Sequence, residues 1–238
     1  KVVYEAQGLF HPFLGRNAVR NDFSVSDRNF YIITGANMAG KSTFLRSLGI
    51  NYVLAMNGMP VFANRLTLSR FKLFTSMRTT DDLTHGISYF NAELLRLKQI
   101  IDAISPVKSV NNKPAQSRDE KMVSTETDSL PSGENRNDVS KSRGATLIIL
   151  DEILKGTNSE DKLSGSRMFL EYVANRNVTG VIATHDLKLS AMTDEYPDRF
   201  HNFCFEIALG TDVTYTYKIT PGVARNQNAT FLLNKLLH

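Results

Sequence analysis

The stretch "FYIITGANMAGKSTFLRS", residues 30–47, decides how the rest of the chain is read. Gly35-Ala36-Asn37-Met38-Ala39-Gly40-Lys41-Ser42 fits the pattern G-x-x-x-x-G-K-[ST]. The spacing has a chemical reason. Gly35 lets the chain leave a strand through backbone angles that a side chain resists. The loop amides then turn inward and form a nest for an anion. Gly40 permits close approach to phosphate, Lys41 adds a mobile positive charge near the β- and γ-phosphates, and Ser42 offers a hydroxyl to Mg²⁺. A helix starting near Lys41 points its positive end at the same anion. The flanks agree: "FYIIT", residues 30–34, reads as a buried strand, and "STFLRSLGINYVLAM" as a helix. A glycine-containing turn between strand and helix is the bland reading, and the length of the match makes it the weaker one. Residues 35–43, Thr43 included, are therefore read as holding a triphosphate.

A second chemical signal lies downstream. "ATLIILDE" has a near-continuous apolar run from Thr146 to Leu150 that ends on Asp151-Glu152. Such a run is expected of a parallel strand buried on both faces, and its carboxyl end lies where α/β sheets bind ligands. Asp151 is placed to help hold Mg²⁺, and Glu152 to orient or deprotonate a water attacking the γ-phosphate. "VTGVIATHD", residues 178–186, is another buried strand. It ends in Thr184-His185, a position from which a histidine can donate toward a γ-phosphate.

Around these signals the chain alternates strands and helices. "DFSVSDRNFYII" reads as a hairpin about Ser26-Asp27-Arg28, and "MPVFANRLTLSRFKLFTSM" as strands on either side of a turn. Residues 88–104 carry Phe90, Leu94, Leu97, Ile101 and Ile104 at helical spacing, the stripe of a core-facing helix. Thr157 and Glu160 have the spacing of a capping box. "NFCFEIALGTDVTYTYKIT" alternates about residues 210–212 as an antiparallel hairpin, and "NATFLLNKLLH" reads as a last helix. Residues 106–143 have no aromatic residue and are dense in Ser, Asn, Asp, Glu, Lys and Pro. Their ordering entropy has no apolar burial to offset it, so they read as a disordered insertion.

Composition bounds the remaining classes. A formal charge of +4 over 238 residues is mild and does not argue for nucleic-acid binding by itself. One cysteine, Cys204, excludes an internal disulfide and suits a reducing, cytoplasmic setting. No apolar run approaches the roughly 20 residues of a membrane span. The opening "KVVYEAQ", without Met, is read as the start of a piece of a longer protein.

These residues resemble the ATPase domain of MutS-like proteins, in the ABC branch of P-loop ATPases. The resemblance is carried by "TGANMAGKSTFLR", "DDLTHGISYFNAEL", "LDEILKGTNSEDKLS", "ATH" and the early "HPFL", and spans nearly the whole chain outside 106–143. It implies an α/β P-loop NTPase fold over residues 1–238, with a mostly parallel central sheet flanked by helices and antiparallel strands at both ends. It implies ATP and Mg²⁺ as ligands, with Lys41, Ser42 and Asp151 at phosphate and metal, Glu152 as general base and His185 as γ-phosphate sensor. Ser88 resembles the signature serine that reaches the ATP of a second subunit, and Asp161 an acid at the interface between the two sites. The expected partners are a second copy, through composite nucleotide sites, and DNA, through segments this chain lacks. Ala36, Ala39 and Lys155 stand where the family usually has Pro, Gly and Arg, and Ala18-Val19-Arg20 has no ring where an adenine-stacking aromatic is usual. The insertion leans toward a divergent subgroup without a mismatch-reading module. A transporter nucleotide-binding domain shares the core, but Leu163-Ser164-Gly165-Ser166 lies downstream of the acidic strand, on the wrong element for it. A nucleotide-gated dimerisation switch with little hydrolysis is the other alternative.

Overall fold

The computed structural model describes residues 1–77, 89–105, 144–155, 157–209 and 213–225. Ser88, the 106–143 insertion, the turn at 210–212 and the last helix expected over 228–238 lie outside the described residues. By its internal packing the chain divides into residues 105–143 and the remainder, which is the fold described below.

The N-terminal part contributes a three-stranded antiparallel sheet. β1 (Tyr4–Leu9) pairs on one side with β2 (Asn21–Val25) and on the other with β4 (Arg65–Leu68). The second sheet has six strands in the order β5-β6-β7-β3-β8-β9. Here β5 (Lys72–Ser76), β6 (Thr146–Asp151), β7 (Val178–Ala183), β3 (Phe30–Gly35) and β8 (Phe200–Leu209) pair in parallel. β9 (Val213–Pro221) pairs antiparallel with β8. The architecture is mixed α/β: a mostly parallel sheet flanked by helices, with antiparallel strands at the two ends.

Sequence alternation explains how both faces of this sheet are covered. In β3, Tyr31 and Ile33 enter one core cluster while Phe30 and Ile32 enter the other; in β6, Leu147 and Ile149 part from Ile148 and Leu150 in the same way. The first cluster is closed by α1 (Lys41–Met56), through Phe44, Leu45 and Leu48, and by the small sheet. The Tyr4 hydroxyl donates to Leu48 O at 2.9 Å and pins the small sheet to that helix. The second cluster is closed by α2 (Tyr89–Ile104) and α3 (Ser159–Ala174). A short helix, α4 (Met192–Glu195), leads into β8 and buries Met192 there.

Three expectations change. The hairpin about residues 26–28 does not form, because β2 and β3 belong to different sheets. Arg28 turns the chain with φ of +60°, and β3 is taken up between β7 and β8 instead. β4 and β5 do stand on either side of a turn as expected, in different sheets. The core stripe of α2 holds at Leu97, Ile101 and Ile104 but widens: Ile100 and the acidic Glu93 (6% exposed) are buried, and Leu94 is 42% exposed. The cap of α3 is Asn158, not Thr157, its side chain accepting from Asp161 N at 2.9 Å.

One packing contact tests the two-faced sheet. Phe30 stacks on Phe200 with centroids 5.1 Å apart, and a Cβ at Gly180 would meet Phe30 Cδ1 at 2.5 Å and Ile182 Cδ1 at 3.2 Å. Alanine ordinarily improves a strand, but here overpacking decides the sign. Gly180→Ala is expected to destabilise by about 1–3 kcal/mol in chemical denaturation; a neutral or stabilising result would show that the ring can move aside.

Candidate nucleotide site

The parallel register brings three strand ends to one level. Ile33 of β3 and Asp151 of β6 both pair with Ala183 of β7. The ladder continues past the strands, with Thr184 N donating to Ile33 O and Glu152 N to Ala183 O, each at 2.9 Å. The 35–42 loop, the Asp151-Glu152 pair and Thr184-His185 thus leave the same edge of the sheet.

The loop has the geometry its glycines suggest. Gly35 has φ of +153°, and a Cβ there would lie 2.8 Å from Phe205 O of the neighbouring strand. Gly40 has φ of +112° and caps α1 with no side-chain bond, so the first amides of the helix face outward uncapped. Met38, with φ of +66°, is exposed at the tip. Ala36 and Ala39 are buried in the first core cluster, which accounts for small residues at both positions. Lys41 is 8% exposed, and its Nζ donates to Gly35 O at 2.6 Å and Ala36 O at 2.9 Å, holding a buried cation against the loop.

This loop floors a cleft of about 530 Å³. Residues 37–43 form one wall, with Asp151 and Glu152 behind them. Phe10, Leu14, Ala18, Val19, Phe205 and Tyr217 also line the cleft, and the Phe205 and Tyr217 rings lie against the loop at Gly40. Residues 18–20 bring no ring to the cleft; Phe10, Phe44, Phe205 and Tyr217 do. Arg20 stacks its guanidinium 4.9 Å above the Phe10 ring. Tyr217 sits in β9 with φ of +52°, opposite a register shift in β8, and its carbonyl accepts from Asn21 Nδ2 at 3.0 Å. In the sequence, Tyr217 looked like one more residue of an alternating strand; only the bulge turns it toward the loop.

Asp151 is 4% exposed, and its Oδ2 is buried without a hydrogen-bond partner. Among the described residues no group of three or more His, Cys, Asp or Glu gathers as a metal cage. An orphaned carboxylate oxygen of Asp151 and the hydroxyl of Ser42, both at the same cleft, form a donor set that would suit Mg²⁺, which keeps waters and phosphate oxygens as its other ligands.

Glu152 is 7% exposed and adopts φ of +63°; Leu154, two residues on, has φ of +58°. Each left-handed non-glycine residue costs on the order of 1–3 kcal/mol. His185 Nδ1 hydrogen-bonds Glu152 Oε1, while Lys162 Nζ and Lys155 Nζ lie 3.7 and 3.9 Å from Oε2. Burial, the largest single effect, pushes the Glu152 pKa up, but the His185 hydrogen bond and the charges of His185, Lys162 and Lys155 together hold it below the usual carboxylate value. The structure therefore places His185 on Glu152, outside the wall of the cleft. It places Asp161 on the exposed start of α3, where Asn158 Nδ2 donates to Asp161 Oδ2 at 2.7 Å. Among the described residues no helix is long and apolar enough to cross a membrane.

Residues 31–110 match the family model described as MutS domain V. The chain is 29% identical over 225 residues to the DNA mismatch repair protein MutS of Thermotoga petrophila, covering 92% of this chain and 24% of that protein. It is 29% identical to the DNA mismatch repair protein MutS 2 of Halobacterium salinarum, covering 92% and 22%. It is 26% identical to the human MutS protein homolog 4, covering 92% and 21%. The chain thus spans about a quarter of the length of the curated relatives it matches.

The Glu152 environment carries a pH dependence. A carboxylate with a depressed folded-state pKa stabilises the fold above its unfolded value and loses that contribution as pH falls through the folded value. His185→Ala removes the hydrogen bond and leaves burial less opposed, so Glu152 is expected to titrate at higher pH in the nucleotide-free protein. Carboxyl NMR shifts of Glu152 against pH check this; an unshifted titration would mean that the two lysines alone hold the carboxylate ionised.

Proposed function

We propose that this chain is the ATPase portion of a MutS-like protein, a P-loop NTPase fold that binds ATP with Mg²⁺ and hydrolyses it slowly. The observation that carries the reading is the joining of an uncapped helix N-terminus, a buried lysine and an unpartnered Asp151 oxygen in one cleft, with Glu152 at its back. The MutS domain V match over the loop and the helix after it supports the reading.

In this reading the amides of residues 37–43 receive the phosphate oxygens, and Lys41 moves its ammonium from the loop carbonyls to the β- and γ-phosphates. Ser42 and Asp151 hold Mg²⁺, which when bound neutralises phosphate charge. Glu152, ionised and fixed by His185, accepts a proton from the attacking water. His185, bonded to Glu152 through Nδ1, keeps Nε2 for a donor bond toward the γ-phosphate. Phe10 and Tyr217 offer the flat apolar faces against which a base packs. Hydrolysis would switch the conformation of a DNA-binding protein in mismatch repair or related DNA metabolism. Ser88, contributed in trans, and Asp161 at the interface would complete composite sites in a homodimer.

Glu152→Gln is expected to keep ATP affinity and lower turnover by about 10²–10⁴-fold, because the amide keeps the shape and loses the base. Lys41→Ala is expected to weaken triphosphate binding itself. Calorimetric ATP titration paired with steady-state phosphate release on the full-length protein separates the two effects. Undiminished turnover in the glutamine variant would remove Glu152 from the role of base.

A further inference from the structure

Glu93 is the acidic residue that helical patterning sends to solvent and the fold sends inward. It is 6% exposed on α2. Its two oxygens are used separately: Oε1 accepts from Leu154 N at 2.6 Å and Oε2 from Lys155 N at 3.0 Å. Only a carboxylate can accept through both oxygens at once; an amide would turn an N–H toward one of these donors. The clamped amides belong to the left-handed turn that begins at Glu152. From the other side, Leu154 is seated on α3, where a Cβ at Gly165 would overlap Leu154 Cδ1. Ser76, Glu93, Arg96, Asp151 and Glu152 share one small cavity of about 20 Å³, so the clamp stands directly behind the acidic pair.

Two left-handed residues within three positions do not hold that conformation unaided; the surroundings must impose it. Among the described residues, Glu93 is the side chain that bonds two amides of this turn, and it comes from an element 61 residues away in sequence. We propose that Glu93 is a positioning residue: by clamping the 154–155 amides it fixes the turn that aims Glu152 at His185 and the cleft. The kinetic part of this rests on the ATPase reading above; the geometric part does not.

The test uses the full-length protein and Glu93→Gln, with Leu97→Ala as a control that loosens the same helix without touching the turn. Without nucleotide, the ¹⁵N shift of His185 Nδ1 reports the bond to Glu152. It is expected to move in Glu93→Gln toward its value in Glu152→Gln, with faster exchange of the Leu154 and Lys155 amides, while Leu97→Ala lowers the melting temperature and leaves the shift in place. With ATP, kcat is expected to fall about 100-fold at unchanged affinity for a fluorescent ATP analogue. Adding Glu93→Gln to Glu152→Gln is expected to cost nothing further, because both act through one group. An unmoved His185 shift in folded Glu93→Gln overturns the proposal, as does a fall in kcat that multiplies with that of Glu152→Gln. A moved shift in a protein that never hydrolyses ATP would instead overturn the ATPase reading and leave the clamp standing.

Discussion

The candidate site depends on the parallel pairing of β6, β7 and β3 in common register. Two backbone bonds beyond the strands, Thr184 N to Ile33 O and Glu152 N to Ala183 O, carry the ladder into the loops. They place the 35–42 loop, the acidic pair and the histidine with backbone precision. A slip of one residue in any strand would invert its faces, driving Ile148 and Leu150, or Phe30 and Ile32, into the opposite core cluster, which is packed for other side chains. Because both faces are covered, that slip is prevented by the whole core, and the site inherits its geometry from packing some distance away.

The site also concentrates charge and strain that the rest of the fold avoids. Lys41, Asp151 and Glu152 are all nearly buried, and Glu152 and Leu154 occupy left-handed backbone. Each would be unfavourable alone. Lys41 is offset by two loop carbonyls, Glu152 by His185 and two lysines, and the left-handed turn by the Glu93 clamp. Asp151 Oδ2 is left without such compensation. A buried carboxylate oxygen left without a partner at the end of a strand is the kind of group that calls for an explanation, and a bound cation would supply one.

Much of this was legible along the chain. The two glycines and the lysine of residues 35–41 were readable as a strand-to-helix loop, because that spacing suits a chain leaving a strand and opening a helix. The apolar runs ending at Asp151 and Thr184 were readable as two-faced strands. The hairpin about residues 26–28 was misread because a polar turn between apolar runs has the same local chemistry whether its flanks pair together or part into two sheets. The face of α2 was read correctly at Leu97, Ile101 and Ile104 and wrongly at Leu94, which is exposed while the carboxylate at 93 is buried and accepts from two amides.

The sequence by itself determined which groups are present and which strand ends carry them, since those follow from local backbone preference and the burial of apolar runs. The tertiary structure alone decided what those groups do to one another. His185 bonds Glu152 because β6 and β7 are neighbours. Tyr217 supplies a ring to the cleft because of a bulge opposite β8. Glu93 holds the Glu152 turn because α2 packs against the same sheet face as α3. Each of these contacts joins residues more than 30 positions apart or depends on strand order, and neither distance nor order is written in local sequence.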